Sequence, residues 1–333
     1  MRTCVILNPA AGRGWSPERI RGAMSTIPGA ELRVSPTSDS VRPFALEAVA
    51  DGFQRIVAAG GDGTVSVLAS ALLDSGAKVE AGLLPIGTGN DLALSLGVPT
   101  RPDLAAALLR EGEAAPIDVI QAFAPGPPDR ELHAWNAVVG GFGGRIADRL
   151  SPGSKRRWRG LAYIRAAVAE LGELRPRRVL LEIDGRRTEQ EIRMLVIANG
   201  RSAGGGIPFA PGGRVDDGWL DVVVIRATSL ARLTVLVPRV LAGRHLADPD
   251  VEHARARTVS VEAEPGFWFN VDGESWVSGP ASFRVRPHAL PFVVPEARHT
   301  SCRIPSRATP GGPSSVQSDG SGDRLRETNS EER

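Results

Sequence analysis

The sequence predicts an α/β domain with a parallel sheet, followed by a second domain made mainly of antiparallel β strands. Two observations lead to this fold class. Strand-like apolar runs alternate with helical patterns over the first 111 residues, which is typical of an open parallel sheet with helices on both faces. Beyond about residue 117, Asp-Gly pairs join the strand-like runs, and such pairs are a strong hairpin signal. We therefore expect one domain at residues 1–121 and a second at residues 122–297.

In the first domain, strands are predicted at residues 3–7, 30–35, 54–59 and 81–85. Helices are predicted from about Pro17 and at about 39–50, 65–73, 91–96 and 102–111. Ser16 is a favourable N-cap for the first helix, and Pro17 suits its first position. Three glycine-bearing loops follow strands one, three and four. They therefore lie at the carboxyl ends of the strands, where the ligands of such sheets bind.

In the second domain, strands are predicted at residues 179–183, 220–225, 258–263, 267–271 and 282–285. Asp184-Gly185 and Asp272-Gly273 are the predicted hairpin turns. An amphipathic helix is predicted at about 158–174. The segment 298–333 is rich in Ser, Gly, Pro and charged residues, so we expect a disordered tail.

Composition limits the classes of function. The net charge is only +2 over 333 residues, which gives no whole-molecule field that would favour nucleic acid. Cys4 and Cys302 fit neither a disulfide framework nor a zinc spacing, and this favours a reducing compartment. The sequence shows no signal peptide and no apolar run near the roughly 18 residues of a membrane span. We therefore expect a cytoplasmic protein that binds no nucleic acid and meets a membrane only at its surface.

Several common motifs are absent or misplaced. The sequence has no Gly-Lys pair, hence no Walker P-loop, and no G-x-G-x-x-G fingerprint. Residues 200–204 match the G-x-S-x-G elbow of serine hydrolases, but that elbow requires a helix directly after it. The glycines and prolines at 205–213 are unfavourable for a helix. A hydrolase is therefore disfavoured.

The Gly60-Gly61-Asp62-Gly63-Thr64 loop, between a strand and a helix, predicts a polyphosphate site. Glycines let backbone N–H groups point into a concavity, and the helix N-terminus adds positive potential. An aspartate in such a loop would repel phosphate unless a divalent cation lies between them, so Asp62 predicts Mg²⁺. The alternative is a tight turn in which Asp62 only caps the helix. The loops at 8–13 and 87–91 fall at the same edge of the sheet and favour the nucleotide site.

The three loops and two later motifs together resemble one family. The motifs that carry this resemblance are Asn8-Pro9…Gly12, Gly60–Thr64, Pro85-Ile86-Gly87-Thr88-Gly89-Asn90-Asp91, Gly204-Gly205-Gly206…Asp216-Asp217-Gly218 and Asn270-Val271-Asp272-Gly273-Glu274. In this order and spacing the chain resembles the diacylglycerol kinase catalytic-domain family. That family includes bacterial diacylglycerol kinases and YegS-type lipid kinases, with sphingosine kinases as relatives.

The resemblance implies a Rossmann-like first domain of the NAD kinase/diacylglycerol kinase type and a β-sandwich second domain. It also implies an ATP-dependent lipid kinase that uses Mg²⁺ and transfers the γ-phosphoryl group to a lipid hydroxyl. Diacylglycerol is the first acceptor that we expect, which would give phosphatidic acid. Relatives can form homodimers, so a homodimer is a further expectation.

The resemblance also implies individual site residues. Those that match its nucleotide site are Asn8, Pro9, Ala10, Ala11, Gly12, Arg13, Thr37, Gly60, Gly61, Asp62, Gly63, Thr64, Val65, Ser66 and Thr88. Asp62 would connect ATP to the Mg²⁺, and Glu274 would be the catalytic base. A carboxylate can accept the proton that the hydroxyl loses during phosphoryl transfer. The alternative is that residues 272–274 form only a hairpin turn. Arg13 stands where some members have lysine, and it keeps the positive charge.

A second, structural metal is implied in the second domain. Its matching ligands are the Asp217 side chain and the backbone carbonyls of Arg214 and Trp219. Asp118 matches an aspartate of the family's Mg²⁺ network. The alternatives are a plain turn with a solvated Asp217 and a structural cap at Asp118.

The segment 151–178 is strongly basic and contains Trp158 and Tyr163. Basic residues mixed with aromatic ones on an amphipathic helix suit an anionic membrane surface. We therefore expect this segment to dock the protein on the inner face of the membrane, where it would meet its lipid substrate. A solvated helix face is the alternative.

Two other functions stay open. NAD kinases share the Gly-Gly-Asp-Gly-Thr loop, but the motifs at 216–218 and 270–274 favour a lipid acceptor. A nucleotide-binding sensor without catalysis would bind ATP through the same loops. The presence of both Asp62 and Glu274 argues against a sensor.

Overall fold

The computed structural model describes residues 1–11, 16–126, 130–141, 175–264 and 266–296. Gly12, Arg13, the helix predicted at 158–174, most of the segment 151–178 and the tail at 298–333 lie outside the described residues. The domain boundaries at 121 and 297 stay predictions.

The first part of the chain, called here the α/β part, has the predicted alternation. Its strands are β1 (Thr3–Leu7), β2 (Glu31–Val34), β3 (Arg55–Gly60) and β4 (Glu80–Pro85). Its helices are α1 (Pro17–Met24), α2 (Val41–Ala50), α3 (Asp62–Ser75), α4 (Asp91–Leu96) and α5 (Pro102–Glu111), with 3₁₀ turns at Pro9–Ala11 and Ser38–Ser40. The strands pair in parallel in the order β2-β1-β3-β4. The predicted α/β fold is therefore confirmed.

Local signals explain where these elements begin and end. Ser16 caps α1, since its Oγ accepts the Arg19 N–H at 3.4 Å. Gly76 ends α3 with a φ of 65°, the left-handed conformation that glycine adopts without steric cost. The residues of β1 and β3 are all buried, as expected for parallel strands covered on both faces.

The remainder, called here the β-rich part, is mainly antiparallel. Its strands are β5 (Glu113–Ala124), β6 (Arg130–Ala134), β7 (Ala137–Gly140), β8 (Arg177–Ile183), β9 (Arg186–Ala198), β10 (Leu220–Arg226), β11 (Val251–Ala256), β12 (Thr258–Ala263), β13 (Trp268–Val271), β14 (Glu274–Ser278) and β15 (Ala281–Val294). One helix, α6 (Leu230–Leu241), and a 3₁₀ turn at His245–Ala247 accompany them in the described residues.

Both predicted hairpin turns are confirmed. Asp184-Gly185 joins β8 to β9, and Asp272-Gly273 joins β13 to β14. All four residues have positive φ, from 45° at Asp184 to 101° at Gly273. This is the conformation for which Asp-Gly pairs are selected in two-residue hairpins.

α6 was not predicted from the sequence. Its internal Pro238 is unfavourable in a helix. Leu233, Leu236 and Val240 are buried in a core cluster with residues of β9 and β10, and this burial stabilises the helix in spite of the proline.

β5 and β15 join the two parts in one sheet. β15 pairs with β5 from Ser282 to Val294 and pairs in parallel with β4 through Phe292 and Ala81. The ladder is interrupted between Arg286 and Leu290. Because both strands extend from the β-rich part into the α/β part, side chains from the two parts can face each other across one cleft.

None of the helices in the described ranges combines the length and apolar character that a membrane span needs.

Candidate active site

The β3–α3 and β4–α4 loops lie directly against each other. The backbone N–H groups of Ile86 and Gly87 both donate to Gly60 O, at 3.1 and 3.2 Å. A Cβ on Gly87 would lie 2.3 Å from Gly61 Cα, so only glycine allows this approach. The first N–H groups of α3 have no partner within the helix, and they lie beside this glycine contact. Such an arrangement suits a phosphate group.

Asn90 lies in the β4–α4 loop with a φ of 54°. Its Nδ2 donates to Gly87 O at 2.9 Å. Its Oδ1 is buried and has no hydrogen-bond partner among the described residues. A buried acceptor without a partner is costly, which is consistent with a loop that is completed by a ligand.

Asn8 connects the loops that follow β1, β2 and β3. Its Nδ2 donates to Thr64 Oγ1 at 3.0 Å and lies 3.4 Å from Ser38 Oγ. Its Oδ1 accepts the Ala10 N–H at 3.1 Å, and its own N–H donates to Ala59 O at 3.0 Å. The buried Asn8 therefore fixes the end of β1 to the β2–α2 loop and to the first turn of α3.

The other predicted nucleotide residues differ in exposure. Thr88 is exposed, and so is Thr37, whose Oγ1 lies 2.9 Å from Ser40 Oγ. Pro9 and Ala10 are exposed in the 3₁₀ turn. Val65 has its side chain in the core, so it can offer a ligand only its backbone.

Asp62 and Asp91 place two carboxylates beside the β4–α4 loop. A Cβ on Gly89 would lie 2.7 Å from Asp62 Oδ2 and 3.5 Å from Asp91 Oδ2. Asp62 Oδ1 accepts the Leu92 N–H at 3.2 Å. Burial, followed by the negative charges of Asp91 and Asp272, raises the pKa of Asp62 to about 6. This pair has the electrostatic character of a site that a cation would stabilise.

Asp91 also holds a loop of the β-rich part. Its carboxylate accepts the N–H groups of Gly205 and Gly206 and, at 3.0 Å, the hydroxyl of Ser202. Asp91 ends the motif at residues 85–91, but no role was predicted for it. Its partners lie more than 110 residues away in the sequence, so no local signal could identify them.

Glu274, the predicted base, is exposed at the start of β14. Its Oε1 would lie 4.0 Å from a Cβ on Gly63, so it reaches the N-terminus of α3. The predicted alternative, a hairpin turn, describes the same residues correctly. The turn and the approach to α3 occur together.

Asp272 fixes this hairpin. Its Oδ2 accepts the Trp135 N–H at 2.7 Å and the Ser66 hydroxyl at 3.4 Å. Its Oδ1 accepts the N–H groups of Asn136 and Ala137, at 3.1 and 3.0 Å. Burial raises the pKa of Asp272, while these hydrogen bonds act in the opposite direction. The carboxylate thus connects α3 of the α/β part with the β6–β7 turn.

A cavity of about 630 Å³ adjoins Glu274. The cavity is lined by residues of α3, which include Gly63, Ser66 and Ser70, and by residues of the β-rich part, which include His133 and Trp276. Trp135 Nε1 donates to Ser70 Oγ at 3.1 Å across the two parts. Burial lowers the pKa of His133, which favours a neutral imidazole in this wall.

Asp217 of the predicted second metal site has protein partners, and so does Asp118, which was predicted for the Mg²⁺ network. Asp217 Oδ2 forms an ion pair with Arg255, and Asp217 Oδ1 accepts the Trp219 N–H at 3.1 Å. Asp118 is fully buried, and its oxygens accept the N–H groups of Gly218 and His288, at 2.7 and 2.8 Å. Burial raises the pKa of Asp118. These partners do not favour a metal, and the second metal site stays a prediction.

In the ranges that the structure describes, no group of three or more His, Cys, Asp or Glu side chains is arranged to hold a metal. Mg²⁺ at a nucleotide site commonly takes only one or two carboxylates, because phosphate oxygens and water complete its coordination. The carboxylate of Asp62, which has no ion-pair partner among the described residues, fits that requirement. Asp91 adds negative charge beside it, while both of its own oxygens accept hydrogen bonds from residues 202–206.

Comparison with known proteins agrees with this geometry. Residues 2–122 match the model of the diacylglycerol kinase catalytic domain, and residues 136–294 match that of the YegS C-terminal NAD kinase beta sandwich-like domain. A "Probable lipid kinase YegS-like" protein of Xanthomonas campestris is 33% identical over 284 residues, which cover 81% of this chain and 88% of that protein. The chain belongs to the diacylglycerol kinase catalytic-domain family of lipid kinases.

Further members of this lipid kinase family extend the similarity. A diacylglycerol kinase of Mycobacterium tuberculosis is 31% identical over 306 residues, which cover 88% of this chain and 95% of that protein. The crystal structure of a diacylglycerol kinase from Bacillus anthracis superimposes with a TM-score of 0.69 at 22% identity, over 89% of this chain and 97% of that one. The structural likeness supports the two-part fold.

Proposed function

We propose that this lipid kinase transfers the γ-phosphoryl group of ATP to a lipid hydroxyl, with diacylglycerol as the first expected acceptor and phosphatidic acid as its product. The position of Glu274 is the observation that carries the proposal. This carboxylate is near Gly63 at the N-terminus of α3 and also lines the 630 Å³ cavity. It is therefore close both to the helix end that we propose binds phosphate and to the space that we propose receives the acceptor.

On the donor side, the glycine loops would bind phosphate through backbone N–H groups. Asn8 and Thr64 fix these loops by their mutual hydrogen bond. Asp62, with Asp91 beside it, would hold Mg²⁺, which when bound neutralises phosphate charge. Gly12 and Arg13, Thr37 and Thr88 stay the proposed further contacts to the nucleotide.

On the acceptor side, Glu274 would accept the hydroxyl proton as the oxygen attacks phosphorus. The oxygen–phosphorus bond forms while the bond from phosphorus to the bridging oxygen of ADP breaks. A positioned carboxylate of this kind contributes a factor of about 10²–10⁴ in rate. Glu274 is exposed and lines the cavity, so an acceptor hydroxyl in that space can approach its carboxylate.

The cavity favours the polar end of a lipid. Its lining combines Ser66, Ser70 and His133 with the apolar side chains of Val67 and Trp276. Cavities of about 300–1,000 Å³ suit ligands of drug size. A glycerol unit with its ester groups fits such a space, and long acyl chains would extend outside it. We propose that the acceptor enters here while its chains stay with the membrane.

Access to a membrane lipid requires a surface that meets the bilayer. We propose that the basic segment 151–178, with Trp158 and Tyr163, is that surface and that it acts at the inner face of the membrane. Co-sedimentation with liposomes tests this proposal. Binding that ignores the content of anionic lipid, or that survives reversal of the charges of Arg156, Arg157 and Arg159, would refute it.

The function is tested by transfer of labelled phosphate from ATP to a panel of lipids in mixed micelles with Mg²⁺. The panel includes diacylglycerol, NAD serves as the rival acceptor, and Glu274→Gln is the matched control. Transfer to a lipid that is lost in the control supports the proposal. Transfer to NAD alone would instead identify an NAD kinase. ATP binding without transfer to any acceptor would favour the sensor.

A further inference from the structure

Asn136 occupies the turn between β6 and β7 and is buried, with 6% of its surface exposed. No motif pointed to it. Its backbone N–H donates to Asp272 Oδ1 at 3.1 Å. Its side-chain Oδ1 accepts the Ser95 hydroxyl at 3.1 Å, and its Nδ2 donates to Ser202 O. One residue thus contacts the Glu274 hairpin, helix α4 and the loop after β9.

The packing around Asn136 leaves no room for a side chain at position 200. Its backbone carbonyl accepts the N–H groups of Asn199 and Gly200, at 2.8 and 2.9 Å. A Cβ on Gly200 would lie 2.1 Å from Asn136 Oδ1 and 2.5 Å from Ser95 Oγ. Glycine at position 200 is therefore required for the Asn136–Ser95 hydrogen bond to exist. Hydrogen bonds to its backbone and to its side chain therefore both fix the position of Asn136.

Ser95 connects Asn136 to the nucleotide loops. It lies on the six-residue helix α4, whose first residue is Asp91, and Asp91 is a neighbour of Asp62. Ser95 Oγ also accepts the Arg201 N–H at 3.0 Å. Displacement of the Asn136 side chain would therefore affect the position of α4, the helix that follows the second glycine loop.

Asp272 connects Asn136 to the proposed base, Glu274. Asp272 lies two residues before Glu274, and its carboxylate receives the N–H groups of three successive residues centred on Asn136. Asp272 adopts a φ of 47°, as expected in this two-residue hairpin turn, and the three N–H groups hold its side chain against the β6–β7 turn. The direction in which the hairpin presents Glu274 thus depends on the β6–β7 turn.

We infer that Asn136 is a positioning residue for phosphoryl transfer, an inference that rests on the proposed function. By holding Ser95 with its side chain and Asp272 with its backbone, Asn136 sets Glu274 relative to the nucleotide loops. A displacement of about 1 Å between reacting groups can cost roughly 10²-fold in rate. The role needs no contact between Asn136 and either substrate.

The test compares Asn136→Ala with Glu274→Gln and with the double variant, in the same labelled-ATP assay with lipid acceptor. For Asn136→Ala we expect kcat to fall about 10–100-fold, while the KM for ATP stays within about two-fold. In the Glu274→Gln background the second substitution should cost less than about two-fold, because residues that act through one another are not additive. A full additional loss in the double variant would overturn the inference.

A matched control separates positioning from general destabilisation. His245 is another buried polar residue of the β-rich part, and its Nε2 bonds to Phe209 O at 3.0 Å. We expect His245→Gln to lower the thermal midpoint but to leave kcat at its wild-type value. If His245→Gln lowers kcat as much as Asn136→Ala does, positioning by Asn136 is refuted.

Ser95→Ala gives a second test if Asn136→Ala does not fold, because it removes the hydrogen bond between α4 and Asn136 but keeps the Asn136 side chain; it also removes the acceptor of the Arg201 N–H. We expect kcat to fall about 3–10-fold, again without further loss in the Glu274→Gln background; an unchanged kcat would contradict the inference. Absence of transfer by the wild-type protein would overturn the proposed function instead. The two failures are therefore distinguishable.

Discussion

The side chain of Asn8 donates a hydrogen bond to Thr64 Oγ1 at 3.0 Å and so fixes the end of β1 to the first turn of α3. Both residues are buried. Removal of one partner leaves the other without its hydrogen bond, which costs about 1–3 kcal/mol. We expect Asn8→Ala to lower the free energy of unfolding by this amount and to weaken ATP binding, as measured by urea denaturation and calorimetry.

Ser38→Ala is the control for this prediction. Ser38 Oγ lies 3.4 Å from Asn8 Nδ2, which is a weaker contact than that to Thr64. We expect a change of less than about 0.5 kcal/mol. Wild-type affinity for ATP in Asn8→Ala would show that the link between β1 and α3 does not shape the nucleotide site.

Asp62→Asn should make the protein more stable and inactive. The pKa of Asp62 is raised from 3.8 to about 6 by burial and by the neighbouring carboxylates. The folded state therefore binds more protons than the unfolded state between these values, and the free energy of unfolding falls as pH rises through that window. Above pH 6 the charged carboxylate costs about 3 kcal/mol, and asparagine removes that cost.

Urea denaturation of wild type and Asp62→Asn at pH 4 and pH 8 checks this sign. The variant should gain stability over wild type at pH 8 and little at pH 4. Phosphate transfer, assayed at the same two pH values, should be lost in the variant. A variant that is less stable than wild type at pH 8 would contradict the electrostatic account.

Gly87→Ala should separate the two glycine loops. A Cβ at this position would lie 2.3 Å from Gly61 Cα, which is backbone and cannot rotate away. We expect at least a ten-fold loss of ATP affinity, measured by calorimetry. Gly22→Ala is the matched control, because a Cβ there has nothing within 4 Å and alanine favours the helix interior. Equal affinities in the two variants would refute the prediction.

His245 should make the protein sensitive to acid. Burial lowers the pKa of His245, and its Nδ1 has no partner among the described residues. The unfolded state therefore binds more protons between the lowered pKa and the ordinary value of about 6.5, so stability falls as pH decreases through that window. His245→Gln should show a shallower loss between pH 7 and pH 5 in thermal unfolding. An unchanged slope would contradict this assignment.

Arg255 should determine whether the Asp217 turn responds to divalent cations. Its guanidinium forms an ion pair with Asp217 and lies 5.5 Å from the centre of the Trp219 ring. We expect chelation by EDTA to leave the thermal midpoint of the nucleotide-free wild type unchanged. Arg255→Met should lower that midpoint and make it rise with added Mg²⁺, whereas Asp217→Asn should not respond. A Mg²⁺-dependent midpoint in the wild type that is lost in Asp217→Asn would support the metal instead.

The elements that were predicted correctly are those whose signals are local in the sequence. β1 begins and ends at the predicted residues, α4 and α5 match their predicted ranges, and both Asp-Gly hairpins form. Apolar period, capping residues and turn residues act over a few positions, so they can be read along the chain. The glycine loops were predicted for the same reason, since strand ends in a parallel sheet share one edge.

The contacts between these elements could not be predicted from the sequence and are seen in the folded structure. The partners of Asp91 and Asn136 lie in distant segments, and so does the contact of Ser66 with Asp272. α6 forms in spite of Pro238 because tertiary burial outweighs local propensity. Hydrogen bonds of this kind depend on the packing of two parts joined by β5 and β15, and a pattern of residue types along one chain carries no record of which distant groups come within 3 Å of each other.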